Sequence, residues 1–238
     1  MKRSSIDERL ERLAVRYELP ETAPARLRGI LDLVAAEPTS ITTVRDPAQG
    51  VDIHVADALT GLEVPAVREA SSIADLGAGG GFPGLALAIA RPEARVALVE
   101  SVGKKCDFLR RAAEAVGLAN VSVVHARAEA WPEGLGAHDV VTARALASLN
   151  VVVEYAAPLV RERGTVVAYK AGRDSVEEAD GEAAADVLGL QPLPPLAVEP
   201  FAGSGPRHLY LYLKVRQTPE RFPRREGMAR KRPLRASS

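Results

Sequence analysis

The residues with the most chemical content lie between positions 73 and 84. The apolar run Ile73-Ala74-Asp75-Leu76 is followed by Gly77-Ala78-Gly79-Gly80-Gly81-Phe82-Pro83-Gly84. Glycine lets a backbone turn sharply and pass close to a ligand with no Cβ in the way, and Pro83 is placed to open a helix. At the carboxyl end of a strand beside a topological switch, such a turn is where open α/β sheets bind nucleotides. Gly79, Gly81 and Gly84 keep the G-x-G-x-x-G spacing, so a dinucleotide is one ligand the turn admits. A second apolar run, Val96-Ala97-Leu98-Val99, ends in Glu100. That carboxylate can accept both hydroxyls of a ribose, which suits any nucleoside cofactor.

Other reactive side chains point to less. Cys106 is the single cysteine, so no intrachain disulfide framework exists, and it reads as a small packed residue. His54, His125, His138 and His208 are scattered without metal-ligand spacing, and no metal is expected.

These residues need a scaffold, and the pattern supplies one. Ser72–Leu76, Arg95–Val99, Val121–His125, Asp139–Ala143 and Thr165–Lys170 read as strands. Pro83–Ala90, Lys104–Val116 and Ser148–Val160 read as the helices between them, an alternation that argues for βαβ units and a parallel sheet. Asp174 to Asp186 is acidic and helical. Leu196–Val198 and His208–Val215 read as a terminal hairpin joined by Ala202-Gly203-Ser204-Gly205-Pro206. Ahead of the alternation, Ser5-Ile6-Asp7-Glu8 has capping-box spacing, and Leu10, Leu13, Ala14 and Tyr17 follow at helical intervals. Thr22 is expected to cap a second helix to about Ala36, and Asp46-Pro47 to open a third running to about Gly61. The expected organisation is a helical cap over 1–65, a nucleotide-binding domain over 66–217 and a basic tail over 218–238.

The net charge is zero, but its distribution is uneven. From Arg207 to Ser238 ten Lys or Arg face only Glu220 and Glu226, an excess of +8 that the first 206 residues balance with −8. A basic tail on an acidic body suggests contact with a polyanion, and the Arg- and Pro-rich stretch after Pro219 is expected to be extended or disordered. No apolar run approaches membrane-spanning length, and Met1 to Glu8 lacks the form of a signal peptide, so the expected location is the cytoplasm, away from membranes.

Asp75-x-Gly77-x-Gly79 resembles motif I of the class I methyltransferases, whose cofactor carries an amino acid and a sulfonium where a dinucleotide carries pyrophosphate. The resemblance implies a Rossmann-like α/β fold, with a mostly parallel seven-stranded sheet and S-adenosyl-L-methionine as cofactor. Marks of two acceptor classes are missing. Val141-Thr142-Ala143-Arg144-Ala145-Leu146 stands where amino-group methylation of adenine uses Asn-Pro-Pro-aromatic, and Cys106 is far from where pyrimidine C5 chemistry needs a nucleophile. What remains suits an acceptor that is already nucleophilic, such as guanine N7, which has no proton to lose.

Longer blocks resemble the bacterial small-subunit (16S) rRNA guanine-N7 methyltransferases, the glucose-inhibited division protein B family. They are residues 40–47, 54–59, 75–84, 103–109, 141–149, 169–172 and 207–209, with a similar ending at 218–227. The resemblance implies a cofactor site of Asp75, Gly77, Gly79, Phe82, Glu100, Ala128, Glu129 and Arg144. It makes Arg144 and Lys170 the catalytic candidates, places His54 and Asp57 near the acceptor base, and makes 16S rRNA in the small subunit the partner of a monomeric enzyme. A class I methyltransferase with a small-molecule or protein acceptor stays open as the alternative.

Overall fold

A computed structural model describes residues 5–236; the sequence reading of Met1 to Ser4 lies outside them. Five short helices come first: α1 (Ile6–Tyr17), α2 (Ala23–Ala36), α3 (Pro47–Gly50), α4 (Asp57–Leu59) and α5 (Pro65–Glu69). Then follow β1 (Ser72–Leu76), α6 (Gly84–Ala90), β2 (Arg95–Glu100), α7 (Gly103–Ala115), β3 (Val121–His125) and β4 (His138–Arg144). The chain continues through α8 (Leu149–Ala156), β5 (Val160–Lys170), α9 (Ser175–Leu188), β6 (Leu190–Val198), β7 (Arg207–Lys214) and α10 (Met228–Lys231).

The seven strands form one sheet in the order β3-β2-β1-β4-β5-β7-β6. β1 to β5 are mutually parallel, while β7 runs antiparallel to both β5 and β6. This is the mostly parallel α/β sheet expected from sequence. The order reverses between β2-β1 and β4, so the switch point lies at the carboxyl ends of β1 and β4. All five β1 residues are buried, as befits a strand covered on both faces.

One apolar cluster joins the N-terminal helices to α6, α7 and the sheet: Leu10, Leu27, Ile30 and Leu31 share it with Leu85, Phe108, Ile73 and Leu98. The other face carries α8 and α9, with Val152, Val153, Ala184 and Leu188 over Val141 and Val166.

Ser5 and Glu8 form the expected reciprocal capping box on α1. Thr22 makes no side-chain cap; the N-terminus of α2 begins instead with Pro24 in its first turn, which needs one donor fewer. Asp46 does cap α3, accepting from the Ala48 amide at 3.0 Å. The expected single helix to Gly61 is not uniform. Val51–Ala56 is a π-helical turn between α3 and α4, and Thr60–Glu63 is 3₁₀. An inserted π turn rotates the face that follows it, and such turns cluster at functional sites. The hairpin is longer than expected on its first arm. β6 starts at Leu190, six residues before the expected Leu196, and carries prolines at 192, 194 and 195. Prolines are tolerated there because β6 is the sheet edge and its register shifts between Leu193 and Leu196.

The tail differs most from expectation. Residues 220–236 pack across α8 and the loop after β3. The Arg224 guanidinium meets the buried Glu154 carboxylate in a two-point pair, Asn150 donates to the Leu234 carbonyl at 2.6 Å, and the Gly227 amide donates to Glu129 at 2.9 Å.

Candidate active site

Two depressions lie along the carboxyl edge of the sheet, one on each side of the loop after β4. The first is lined by Gly77, Val99, Ser101, Ala128, Glu129, Leu146, Tyr155 and Arg230, among others. The second holds about 360 Å³ and is lined by His54, Asp57, Arg144, Tyr169, Lys170 and Arg207 with their neighbours.

The glycine turn frames the first. Gly77, Gly79 and Gly81 have φ of +68°, +53° and +93°, a region that side chains other than glycine's rarely enter. At Gly77 a Cβ would also press on the Leu146 side chain, 2.7 Å away, which would have to shift. Asp75 holds the turn from beneath: it accepts from the Gly84 amide and from the Thr142 hydroxyl, both at 2.9 Å. Burial pushes its carboxyl up to about 6, although both hydrogen bonds favour the charged form. Asp75 is 1% exposed, so it shapes the turn and presents no free face to a ligand. Glu100 works from the neighbouring strand, accepting from the Gly79 amide at 3.0 Å and the Val102 amide at 2.9 Å. Its carboxylate therefore lies against the turn, between two residues, Val99 and Ser101, that line the first cleft. Glu129 sits at the far end, in the turn Ala128–Ala130, where it also anchors the C-terminal segment through Gly227.

Phe82 leaves this turn toward the second pocket, where its ring stacks on His54 at 5.0 Å with 11° between the planes. His54 comes from the π turn and is held by the Val44 carbonyl at 2.9 Å; burial lowers its pKa, which favours the neutral ring. Arg144 ends β4. It donates to Asp57 at 2.8 Å and to the Ile53 carbonyl at 3.0 Å, with its guanidinium 5.9 Å from the centre of the Phe82 ring. Ala145, next in the chain, has φ +53°, a costly conformation for alanine that turns the loop back toward Leu146 and the first cleft. Lys170 ends β5 and gives its ammonium to Glu177 at 2.5 Å and to the Ala147 carbonyl at 2.9 Å. Its charge is thus balanced within the fold. Gly61 brings the cap close to the sheet: a Cβ there would fall 2.0 Å from the Tyr169 hydroxyl, which bonds the Ala58 carbonyl.

The structure thus brings Gly77, Ala128 and Glu129 to one cleft and Arg144 and Lys170 to the other. Asp75, Gly79 and Glu100 support the turn, and Phe82 bridges toward the second pocket. Tyr155, Leu146 and Arg230 in the first cleft and Tyr169, Arg207 and His208 in the second were not singled out as site residues from sequence. Leu146, Tyr169 and Arg207-His208 had a signal, as parts of family-like blocks; Tyr155 had none, and Arg230 arrives from the tail with no local pattern to mark it. Among the described residues no His, Cys, Asp and Glu group is arranged to hold a metal ion, and no helix is long and apolar enough to cross a membrane.

Cys106 lies on α7 with no exposure, donating its Sγ hydrogen to the Glu100 carbonyl at 3.2 Å, and burial raises its pKa. A thiol so placed is a poor nucleophile. Cys106→Ser should retain most of the enzyme's turnover. Complete loss, with folding and cofactor binding intact, would restore a covalent cysteine mechanism.

Residues 33–199 match the family model described as rRNA small subunit methyltransferase G. A protein named ribosomal RNA small subunit methyltransferase G from Rubrobacter xylanophilus is 43% identical over 202 residues, covering 82% of this chain and 77% of its own. One of the same name from Symbiobacterium thermophilum is 36% identical and covers 98% of both chains. Among solved structures, a SAM-dependent methyltransferase from Aquifex aeolicus superposes with TM-score 0.57 at 13% identity, over 75% of this chain and 99% of its own. The antibiotic-resistance methyltransferase Kmr superposes with TM-score 0.51 at 20% identity, over 62% and 88%. These structural likenesses carry the fold alone.

Proposed function

Because the chain belongs to the rRNA small subunit methyltransferase G family, we propose that it transfers a methyl group from S-adenosylmethionine to N7 of a guanine in 16S rRNA. The observation that carries the reading is the family match across residues 33–199, with a glycine turn and an acid-ended second strand inside it.

The residues fit that cofactor. At Gly79 a Cβ position has nothing nearer than 3.6 Å, which leaves space for close approach, and Glu100 stands where ribose hydroxyls can replace or share its amide partners. Ala128 and Glu129 supply the far wall. When bound, the cofactor supplies an electrophilic sulfonium methyl. The rest is positioning. Guanine N7 carries a lone pair and no proton, so no general base is required. The second pocket, with Arg144 at its junction with the glycine turn, would hold the base so that N7 meets the methyl in line. Alignment of this kind can supply on the order of 7–11 kcal/mol. Lys170, neutralised by Glu177, would hold the loop after β4 through the Ala147 carbonyl. The partner on this reading is the small ribosomal subunit, and the compartment it suits is the cytoplasm. The chain would act as a monomer, and no metal is invoked.

The purified protein should bind S-adenosylmethionine and its demethylated product, with no comparable affinity for NAD or NADP. Glu100→Ala should weaken that binding by about 1–3 kcal/mol, since a charged acceptor is removed. Calorimetry measures both, and nicotinamide binding of equal strength would overturn the cofactor assignment. Mass spectrometry of rRNA nucleosides from cells with and without the gene tests the reaction itself. Loss of 7-methylguanosine from small-subunit rRNA is the expected result, and an unchanged level would refute it.

A further inference from the structure

The second pocket contains polar groups that the transfer of a methyl does not itself require. Asp57 projects from α4, directly after the π turn, and its side chain is 17% exposed. Two arginines flank it from the sheet. Arg144 from β4 takes Oδ2 at 2.8 Å, while Arg207 from β7 stands off Oδ1 at 3.7 Å, beyond hydrogen-bond length. One carboxylate oxygen is thus fixed and the other is left with acceptor capacity. Two ring nitrogens in the same pocket, His54 Nδ1 and His208 Nδ1, are buried with no hydrogen-bond partner among the described residues. Residue His54 is only 5% exposed. Buried polar atoms of this kind call for an occupant that can satisfy them.

We infer that Asp57 is the residue that selects guanine, accepting the N1–H and the N2 amino group of the target base. The inference rests on the reading of this pocket as the seat of that base. Guanine presents two adjacent N–H donors on its Watson–Crick edge, a match for a carboxylate, which has only acceptors. Adenine offers one donor beside an acceptor nitrogen, which a carboxylate repels. The Watson–Crick edge lies across the ring system from N7. A base anchored through it on the cap side therefore turns N7 toward the glycine turn and Phe82. The same contact strengthens during the reaction. Alkylation at N7 leaves positive charge on the ring, the N1–H becomes a better donor, and an ionised carboxylate gains most in the transition state. Arg144 holds that carboxylate through Oδ2, and Arg207 stands 3.7 Å from Oδ1. The π turn carries His54 and leads directly into Asp57, and both line the pocket.

The test replaces the methylated guanine by inosine, which keeps N1–H and N7 but lacks the N2 amino group. The substrate is ligated small-subunit rRNA assembled into subunits. The wild-type enzyme should methylate inosine at least about tenfold less efficiently than guanine in kcat/KM, one charge-assisted hydrogen bond being lost. Asp57→Ala should be slower on guanine and should bring the guanine-to-inosine ratio close to one. Asp57→Asn, which keeps the shape, should show a reduced ratio with S-adenosylmethionine affinity unchanged. A slower Asp57→Ala enzyme with the wild-type ratio would mean that Asp57 only props Arg144, and the inference would fail. Equal wild-type rates on inosine and guanine would refute it as well. Failure of the wild-type enzyme to methylate guanine in any subunit would instead refute the functional reading beneath it.

Discussion

Arg144→Ala should lower methyl transfer on small subunits by on the order of 100-fold or more, while RNA affinity changes only a few-fold. The guanidinium ties three things together: the end of β4, the cap through Asp57 and the Ile53 carbonyl, and the Phe82 ring of the glycine turn. Removing it leaves each element in place but frees their relative setting, and a misplacement of about 1 Å at reacting atoms can cost 100-fold. Arg144→Lys should recover little: both acceptors are reached by the terminal Nη1, one bond beyond the end of a lysine side chain, and the planar group near the Phe82 ring is lost. Single-turnover rates with saturating cofactor separate this from a binding defect. A normal rate in Arg144→Ala would make the side chain a strut between cap and sheet with no part in the transfer.

The largest effect on stability should come from a residue that composition assigned to a loose tail. The Glu154 side chain is 3% exposed on α8, and Arg224 reaches it with two nitrogens, the Nε contact measuring 2.6 Å. Arg224 also donates to the Arg232 carbonyl at 2.9 Å and lies over the Phe222 ring. Arg224→Ala strands a buried carboxylate, which is far more costly than losing an exposed pair. Since Arg224 keeps 23% exposure, water can partly compensate, and a loss of roughly 2–3 kcal/mol is expected. In a domain of this size that is a fall in Tm of roughly 5–10 °C. Thermal unfolding with and without a second change, Glu154→Leu, checks the cause. The double variant should regain part of the loss, because no unpaired charge remains. A Tm within 1–2 °C of wild type would mean the tail contributes nothing to the fold.

What the sequence made legible follows from locality. The strand-turn-helix over 72–90 shows in a dozen residues, because glycines with positive φ and a strand-ending acid are demanded by the turn itself. The same holds for the Ser5 capping box and the Asp46 cap. The π turn at Val51–Ala56 left no mark, since one extra residue per turn shifts apolar spacing by less than a short segment can reveal. The tail was misread because counting charges does not count partners: Glu154 lies 70 positions from Arg224. The tail also closes over the first cleft, where Arg230 donates to the Leu146 carbonyl at 2.9 Å. Lys170 shows the same limit. Its position at the end of β5 was readable, but the ion pair with Glu177 depends on how α9 folds back.

The most direct measurement of the central claim is the identity of the methylated nucleoside. Small subunits from cells lacking the gene are incubated with the purified protein and S-adenosylmethionine, digested, and resolved by mass spectrometry with standards for each methyl isomer. The expected product is 7-methylguanosine at a single guanine of 16S rRNA, nearly absent with Arg144→Ala. A product of N6-methyladenosine or C5-methylcytidine, with no 7-methylguanosine, would contradict it.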